Sequence, residues 1–391
     1  MSEVTYIHNI SLLVDGRLGN PSRANTSITI EDGIISAIGV EPRQSDVVID
    51  ANRLTVIPGL IDGHVHPSFG EWTPAQDAIG WIGNYVHGGT TTMVSAGELH
   101  LPGLALDALD AETVVSLALV SRASTTRARL SSAKLEAGTV LLVPGMTERD
   151  FDRLAAGGVR QAKFIFYDWA RGFSEPQQYV QWAHEREMVV KVHSGGVSRS
   201  GSSRRTGYEV IAAVKPDIVG HISGGPIPMP DREIIETIES LPDVFIEVCS
   251  SMNYRSTTVT VEALRTRQRL DRLTLGTDTP GGTGVIPRGM LRNICFLASI
   301  CSVDPVDAVA AATGNVAIAH RLDAGVIDVG RPADLVLLGP IEGSVAEDAL
   351  GCFAVGDLPG ISTVLIDGVA VVTPRSRQTP PPLRLATIRR Q

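Results

Sequence analysis

Two histidines one residue apart, His64 and His66, close the apolar run "IPGLIDGHVH" and are followed at once by Pro67. In an extended strand, residues i and i+2 share a face, so this spacing can aim both imidazoles at one point. Two neutral imidazoles supply half of a tetrahedral shell for a divalent ion. Four more polar residues recur in or at the ends of later apolar runs: Lys163 in "QAKFIF", His193 ending "VVKVH", His221 ending "DIVGH" and Asp278 ending "LTLGTD". His193, His221 and Asp278 have the donor types to complete one site and start another. Gly59 and Gly63 beside the pair are expected to let ligands come close to an ion. Taken singly, each residue has an ordinary reading: a strand-end histidine is hydrogen-bonded in a core, an aspartate shapes a turn, a lysine snorkels outward. Recurrence at matching ends of successive strands favours a shared site. His8, His87, His100, His184 and His320 do not fall at such ends and read as structural.

The elements that must position these residues follow from periodicity. Residues 1–53 consist of short alternating segments ("TYIHNISLLVDG", "TSITIEDGIISAIG", "DVVIDA") broken by Gly, Asn and Asp turns, the pattern of antiparallel strands. "GVIDVGRPADLVLLG" and "STVLIDGVAVVT" repeat it near the far end. One small β-sandwich built from both chain ends, 1–53 with 323–391, is therefore expected. Between them, 54–322 alternates short apolar runs with amphipathic stretches such as "SEPQQYVQWAHER", which indicates parallel sheet covered by helices. Runs at "LTVIPGLIDGHVH", "GGTTTMVSAG", "VVSLALVSR", "RQAKFIF", "EMVVKVH", "PDIVGHI", "DVFIEVC" and "RLTLGTD" number about eight, the count that closes a (β/α)8 TIM-like barrel of the α/β class. Barrel enzymes place their chemistry at the C-terminal ends of these strands. An open doubly wound sheet is the competitor, and no GxGxxG opens a helix to support its dinucleotide-binding form.

Bulk properties narrow the function. A chain of 391 residues exceeds one usual core, and its 43% hydrophobic and 20% charged content is that of a globular enzyme. A net charge of −9 argues against coating nucleic acid, which needs a basic surface. Cys249, Cys295, Cys301 and Cys352 show no CxxC spacing and read as reduced thiols, so the cytoplasm is expected. No segment stays apolar for about 18 residues, so no membrane span is expected.

"PGLIDGHVH", "AKFI", "VKVHSGG", "VGHISGG" and "LGTDTPGGTG" resemble the metal-site motifs of the amidohydrolase superfamily, and "RPADLVLLG" is similar to its closing β segment. Within it, "GTDTPGGTGVIPRGMLRNICFLASI" and "GSVAEDALGCFAVGDLPGISTVLIDGVAVVT" are most similar to the branch that opens cyclic enamides. The resemblance implies a binuclear metal centre: one ion held by His64, His66 and Asp278, a more exposed one by His193 and His221, and Lys163 bridging as a carboxylated lysine. Zinc is the default metal, and the branch implies an iron and zinc pair. In that branch an acidic side chain bridges, so Lys163 is a departure from its pattern. A lysine reacts with carbon dioxide only when neutral, so burial must depress its pKa. The chemistry implied is hydrolysis of a cyclic amide, an enamide or lactam of a small ring with or without a carboxylate. A hydroxide bridging the ions attacks, and Asp278 serves as general acid-base. The same resemblance implies a homo-oligomer, a tetramer.

Substrate contacts are expected on loops after the strands. Arg199, Arg204 and Arg205 in "HSGGVSRSGSSRRTG" suit a carboxylate clamp, and Phe69, Trp72, Trp169 and Tyr254 suit ring-stacking walls. The basic, Pro-rich tail "TPRSRQTPPPLRLATIRRQ" carries no chemistry. The same scaffold would serve a lactone, carbamate or cyclic imide. Deaminases of the superfamily pair one metal with a Glu beside the fifth-strand His, which "VKVHSGG" lacks. A non-catalytic, amidohydrolase-like interaction protein is the remote alternative, disfavoured because all six ligand positions are filled.

Overall fold

The computed structural model describes residues 3–67, 81–97, 109–127, 133–164, 172–196, 205–224, 227–251, 253–280 and 284–391. The chain begins with β1 (Val4–Leu13), β2 (Arg23–Glu31), β3 (Ile34–Ile38), β4 (Val47–Asp50) and β5 (Thr55–Pro58). Next come β6 (Leu60–Val65), α1 (Trp81–Val86), β7 (Thr90–Ser95), α2 (Ala111–Arg127), β8 (Lys134–Glu136), β9 (Val140–Leu142), α3 (Glu148–Ala156), β10 (Gln161–Phe164), α4 (Ser174–Glu185), β11 (Val189–His193), α5 (Tyr208–Val214), β12 (Ile218–Gly220), α6 (Asp231–Ser240), β13 (Phe245–Cys249), α7 (Tyr254–Thr266) and β14 (Leu273–Gly276). Helices α8 (Gly289–Ser299), α9 (Pro305–Ala311) and α10 (Gly314–His320) lead to β15 (Leu335–Gly339), α11 (Ala349–Val355), β16 (Gly360–Ile366), β17 (Val369–Val372) and β18 (Thr387–Arg390).

Strands from both chain ends form one mixed nine-stranded sheet, ordered β17-β16-β15-β5-β1-β2-β3, with β4 and β18 branching from it. The long β1 is the fork: β4 pairs with its first half and β5 with its end, while β2 runs along it on the other side. Where two separate sheets of a sandwich were expected, the hydrogen bonding is continuous. The branches still enclose one core, in which Ile7, Ile28, Ile49, Val56 and Leu337 meet. β5 belongs to this sheet, so the sheet reaches past residue 53, and the chain turns from β5 into β6 at Gly59.

The middle of the chain is the parallel, TIM-like unit. β6-β7-β8 and β9 to β14 are all parallel, each pairing with its successor. β8 and β9 follow one another across Gly138 and pair on opposite sides, to β7 and to β10, so together they fill the third of eight barrel positions. The first and last strands meet through Asp278 N–H to His64 O at 2.8 Å and His66 N–H to Thr279 O at 2.6 Å. β11 and β13 are buried on both faces and mainly apolar, so the charged residues inside them stand out. One strand expectation is corrected: "VVSLALVSR", residues 114–122, lies within α2, and the third strand is 134–142. An apolar run of that length does not distinguish strand from buried helix by periodicity.

Candidate metal centre

β6 ends on the HxH pair, β10 carries Lys163, β11 ends on His193, and the turns after β12 and β14 carry His221 and Asp278. All six are buried. His66 Nε2 lies 3.3 Å and His64 Nε2 3.6 Å from Asp278 Oδ1, so three donor groups face one point. Lys163 Nζ is 2.8 Å from His64 Nε2. The rings of His193 and His221 meet edge to face at 4.2 Å between centroids, and His221 lies 5.3 Å from His64. His221 and Asp278 both hold positive φ, +36° and +61°, a backbone region that non-glycine residues seldom occupy. Such strain persists where the surroundings fix it and tends to gather at functional sites.

The outer contacts of the HxH pair fix its protons. His66 Nδ1 faces Gly97 O at 3.0 Å, and His64 Nδ1 faces Glu247 Oε1 at 2.5 Å. A carbonyl or an ionised carboxylate only accepts, so Nδ1 carries the proton in both rings. Each Nε2 lone pair is therefore left toward Asp278, the arrangement a metal ligand needs. His221 Nδ1 is buried with no hydrogen-bond partner among the described residues, an orphan that a cation would satisfy. The residues present thus fit a divalent ion, with His64, His66 and Asp278 as a buried set able to hold it.

Burial dominates the titration of these groups. It pushes the imidazoles of His64 and His193 far below their usual value and His221 down to about 4, keeping them neutral. Desolvation likewise lowers Lys163 to about 8, against the opposing pull of Asp278, which brings the neutral amine within reach. Burial would raise Asp278, but its close contacts with His66, His64 and His221 outweigh that and hold the carboxyl below the usual range.

Three buried charged residues here escaped the sequence reading. Glu247 and Lys191 stand inside β13 and β11 and pair at 2.5 Å, while Lys191 Nζ also donates to Gly63 O at 2.6 Å. Asp62 accepts from the N–H and hydroxyl of Thr277 at 2.8 and 2.5 Å, tying β6 to the turn that carries Asp278. The signal was present: Glu247 and Lys191 are isolated charges in strands otherwise apolar, and Lys191 shares a face with His193. The role expected of Gly63 also changes, because a Cβ there would meet Leu275 O at 3.0 Å and Glu247 Oε2 at 3.3 Å. Its bareness makes room for the neighbouring strands. At Gly59 a Cβ would strike the Thr91 side chain.

Of the expected substrate contacts, Tyr254 and Arg205 are described. Tyr254 opens α7 with its side chain mostly exposed, stacked on Phe296 at 5.4 Å. Arg205 is ion-paired with Glu233 of α6. Phe69, Trp72, Trp169, Arg199 and Arg204 lie outside the described residues, as does His100. Among the remaining histidines, His8 stacks on Tyr6, Arg377 holds His87, His184 pairs with Asp217, and His320 bonds Gln161. All four cysteines are free and buried, and no described helix is long and apolar enough to cross a membrane.

A parallel barrel with an HxH pair on its first strand and an aspartate after its last agrees with comparison to known proteins. A model of the amidohydrolase family matches residues 55–371, and the chain belongs to that family. It is similar over its whole length to enamidase of Eubacterium barkeri, with 41% identity over 388 residues, 98% of this chain and 99% of that one. A crystal structure of enamidase superposes with a TM-score of 0.91 and 39% identity, covering 99% of this chain and all of the other. An adenosine deaminase from Xanthomonas campestris with bound zinc shares the fold, at TM-score 0.64 and 15% identity over 95% of this chain and 93% of that one.

Proposed function

We propose that this amidohydrolase is a metal-dependent enzyme that opens a cyclic amide, an enamide or lactam of a small ring. The observation that carries the reading is full-length similarity to enamidase joined to a buried set of imidazole and carboxylate donors. In this reading His64, His66 and Asp278 hold one divalent cation, His193 and His221 a second, and Lys163, carboxylated, lies between them. Zinc, or iron with zinc, suits these donors. Bound there, the cations supply Lewis-acid polarisation of a carbonyl and a lowered pKa for water.

The chain's own residues do the rest. The carbonyl of Gly97 and the carboxylate of Glu247 hold the HxH rings with both Nε2 atoms inward. Asp278 is kept ionised, so its carboxylate accepts the proton of the attacking water and returns it to the departing ring nitrogen. Lys163, with its pKa drawn down to about 8, has enough neutral amine near pH 8 to take up carbon dioxide. Burial of the whole set keeps bulk water from competing for these groups.

The test is a mass-spectrometric panel of cyclic enamides, lactams, imides and lactones with zinc- or iron-replete protein, scoring ring opening and ammonia release separately. Opening of an enamide or lactam is expected, and ammonia release only from enamides. Turnover of lactones or imides alone would move the assignment to another bond on the same scaffold. The assembly proposed is a homo-oligomer, which light scattering reads directly.

A further inference from the structure

Glu247 is a carboxylate with none of its surface exposed, in the middle of β13, and the proposed reaction uses one of its oxygens alone, to hold the ring of His64. Its contacts are unusual in reach. Oε1 accepts from His64 Nδ1 at 2.5 Å and from the backbone N–H of His221 at 3.2 Å, and Oε2 accepts from Lys191 Nζ at 2.5 Å. The carboxylate therefore touches β6 through a ring, the turn after β12 through the main chain of a residue held at positive φ, and β11 through a lysine two positions before His193. Lys191 extends the reach by donating to Gly63 O, the carbonyl just before His64. Three of the strands that end on candidate ligands are thus fastened to one side chain.

An ordinary buried ion pair would ask only for charge compensation, and Lys191 alone provides that. The further bond to His64 Nδ1 has a specific consequence. It fixes the Nδ1–H tautomer, orients the ring and makes Nε2 a stronger donor, as carboxylate partners do for ligating imidazoles generally. The hydrogen bond to His221 N–H holds a second candidate ligand in its strained backbone conformation. Space has been cleared for this arrangement: Glu247 Oε2 approaches Gly63 at a distance a side chain would contest, and a Cβ at Gly276 would meet His64 Cβ at 2.7 Å.

We propose that Glu247, neutralised by Lys191, is a positioning residue that sets the tautomer, orientation and donor strength of His64 and braces His221, so that it governs metal affinity without touching the ion or the substrate. This rests on the reading of His64 as a metal ligand, and the test separates the two. Zinc affinity is measured by competition with a chromophoric chelator for the wild-type chain, Glu247→Gln, and the double variant Glu247→Gln with Lys191→Met, alongside thermal melts. The double variant removes both charges, so it folds without an unpaired buried lysine even where the single variant does not.

The expected result is zinc affinity weaker by about 10–100-fold in both variants. The double variant should melt closer to wild type than the single one does. Wild-type affinity in a folded double variant would mean that Glu247 is only the counter-ion of Lys191, and would overturn the proposal. Failure of the wild-type chain itself to take up zinc would remove the metal reading, and this inference with it.

Discussion

At the scale of single residues, spacing pointed to the candidate ligands but not to what holds them in place. His64, His66, Lys163, His193, His221 and Asp278 were legible because polar side chains at strand ends break an apolar pattern at a repeated place. Glu247, Lys191 and Asp62 were not, because a charge inside a buried strand has meaning only through its partner on another strand, and pairing across 128 or 56 residues leaves no local mark. Two substitutions probe the roles assigned to the visible set. Asp278→Asn preserves the shape of the side chain but cannot take up a proton at a carboxylate. It should keep most of its bound metal and lose about 10²–10⁴-fold in kcat, read by metal analysis beside steady-state rates. Near-normal rates would remove its general acid-base role. Lys163→Ala should bind less metal, with short carboxylic acids restoring part of it. Full occupancy and full rate without such acids would exclude Lys163 as the bridge.

Elements were read correctly where length and flanking residues agreed with the apolar pattern, and misread where the pattern stood alone. Residues 114–122 are rich in Val and Leu and invite a strand, but the start signal of a helix precedes them: Asp110 Oδ1 accepts from Thr113 N–H at 2.8 Å, and Asp110 O from Val114 N–H. The true third strand escaped notice because Gly138, at φ +88°, divides it into two pieces of three residues each. The joints between elements carry their own pH dependence. His184, in the last turn of α4, bonds Asp217 Oδ2 at 2.9 Å, and the same oxygen accepts from Val190 N–H at the start of β11. The bond to Asp217 raises the His184 pKa against the opposing effect of burial. A raised folded pKa means that the stabilisation is complete below the unfolded value of about 6.5 and is lost as pH climbs through the folded value. His184→Gln should therefore melt below wild type by about 1 °C at pH 5.5, a small gap because the pair is partly exposed, and the gap should narrow as pH rises above about 6.5. A gap that persists unchanged at pH 8 would assign the effect to packing.

For the whole molecule, the two-part plan was visible because each part has its own period: alternation in the terminal sheet, continuous apolar runs in the barrel. How the parts are joined was invisible, since the joint is made by residues far apart in the chain. Lys134, on the third barrel position, donates to both oxygens of Asp334 at 2.9 Å and to Asp367 Oδ1 at 2.6 Å. Asp334 immediately precedes β15, Asp367 lies in the turn after β16, and Asp334 O accepts from Gly59 N–H where the chain enters the barrel. Asp334 is almost fully buried, so loss of the lysine removes the charge that compensates its carboxylate and leaves it the N–H of Asp367 as a donor at 2.9 Å. Lys134→Met keeps the apolar stem and removes the charge. Breaking a fully buried pair costs about 3–5 kcal/mol, but the lysine is 32% exposed, so about 2 kcal/mol is expected. All four tryptophans lie between residues 72 and 182, and the two that are described, Trp81 and Trp182, sit on α1 and α4, so tryptophan fluorescence is the probe of the barrel while circular dichroism reports the whole chain. If the joint makes barrel and sheet unfold together, both urea midpoints shift down by the same amount in the variant. A tryptophan midpoint that stays in place while the dichroism moves would show that the lysine stabilises the terminal sheet alone.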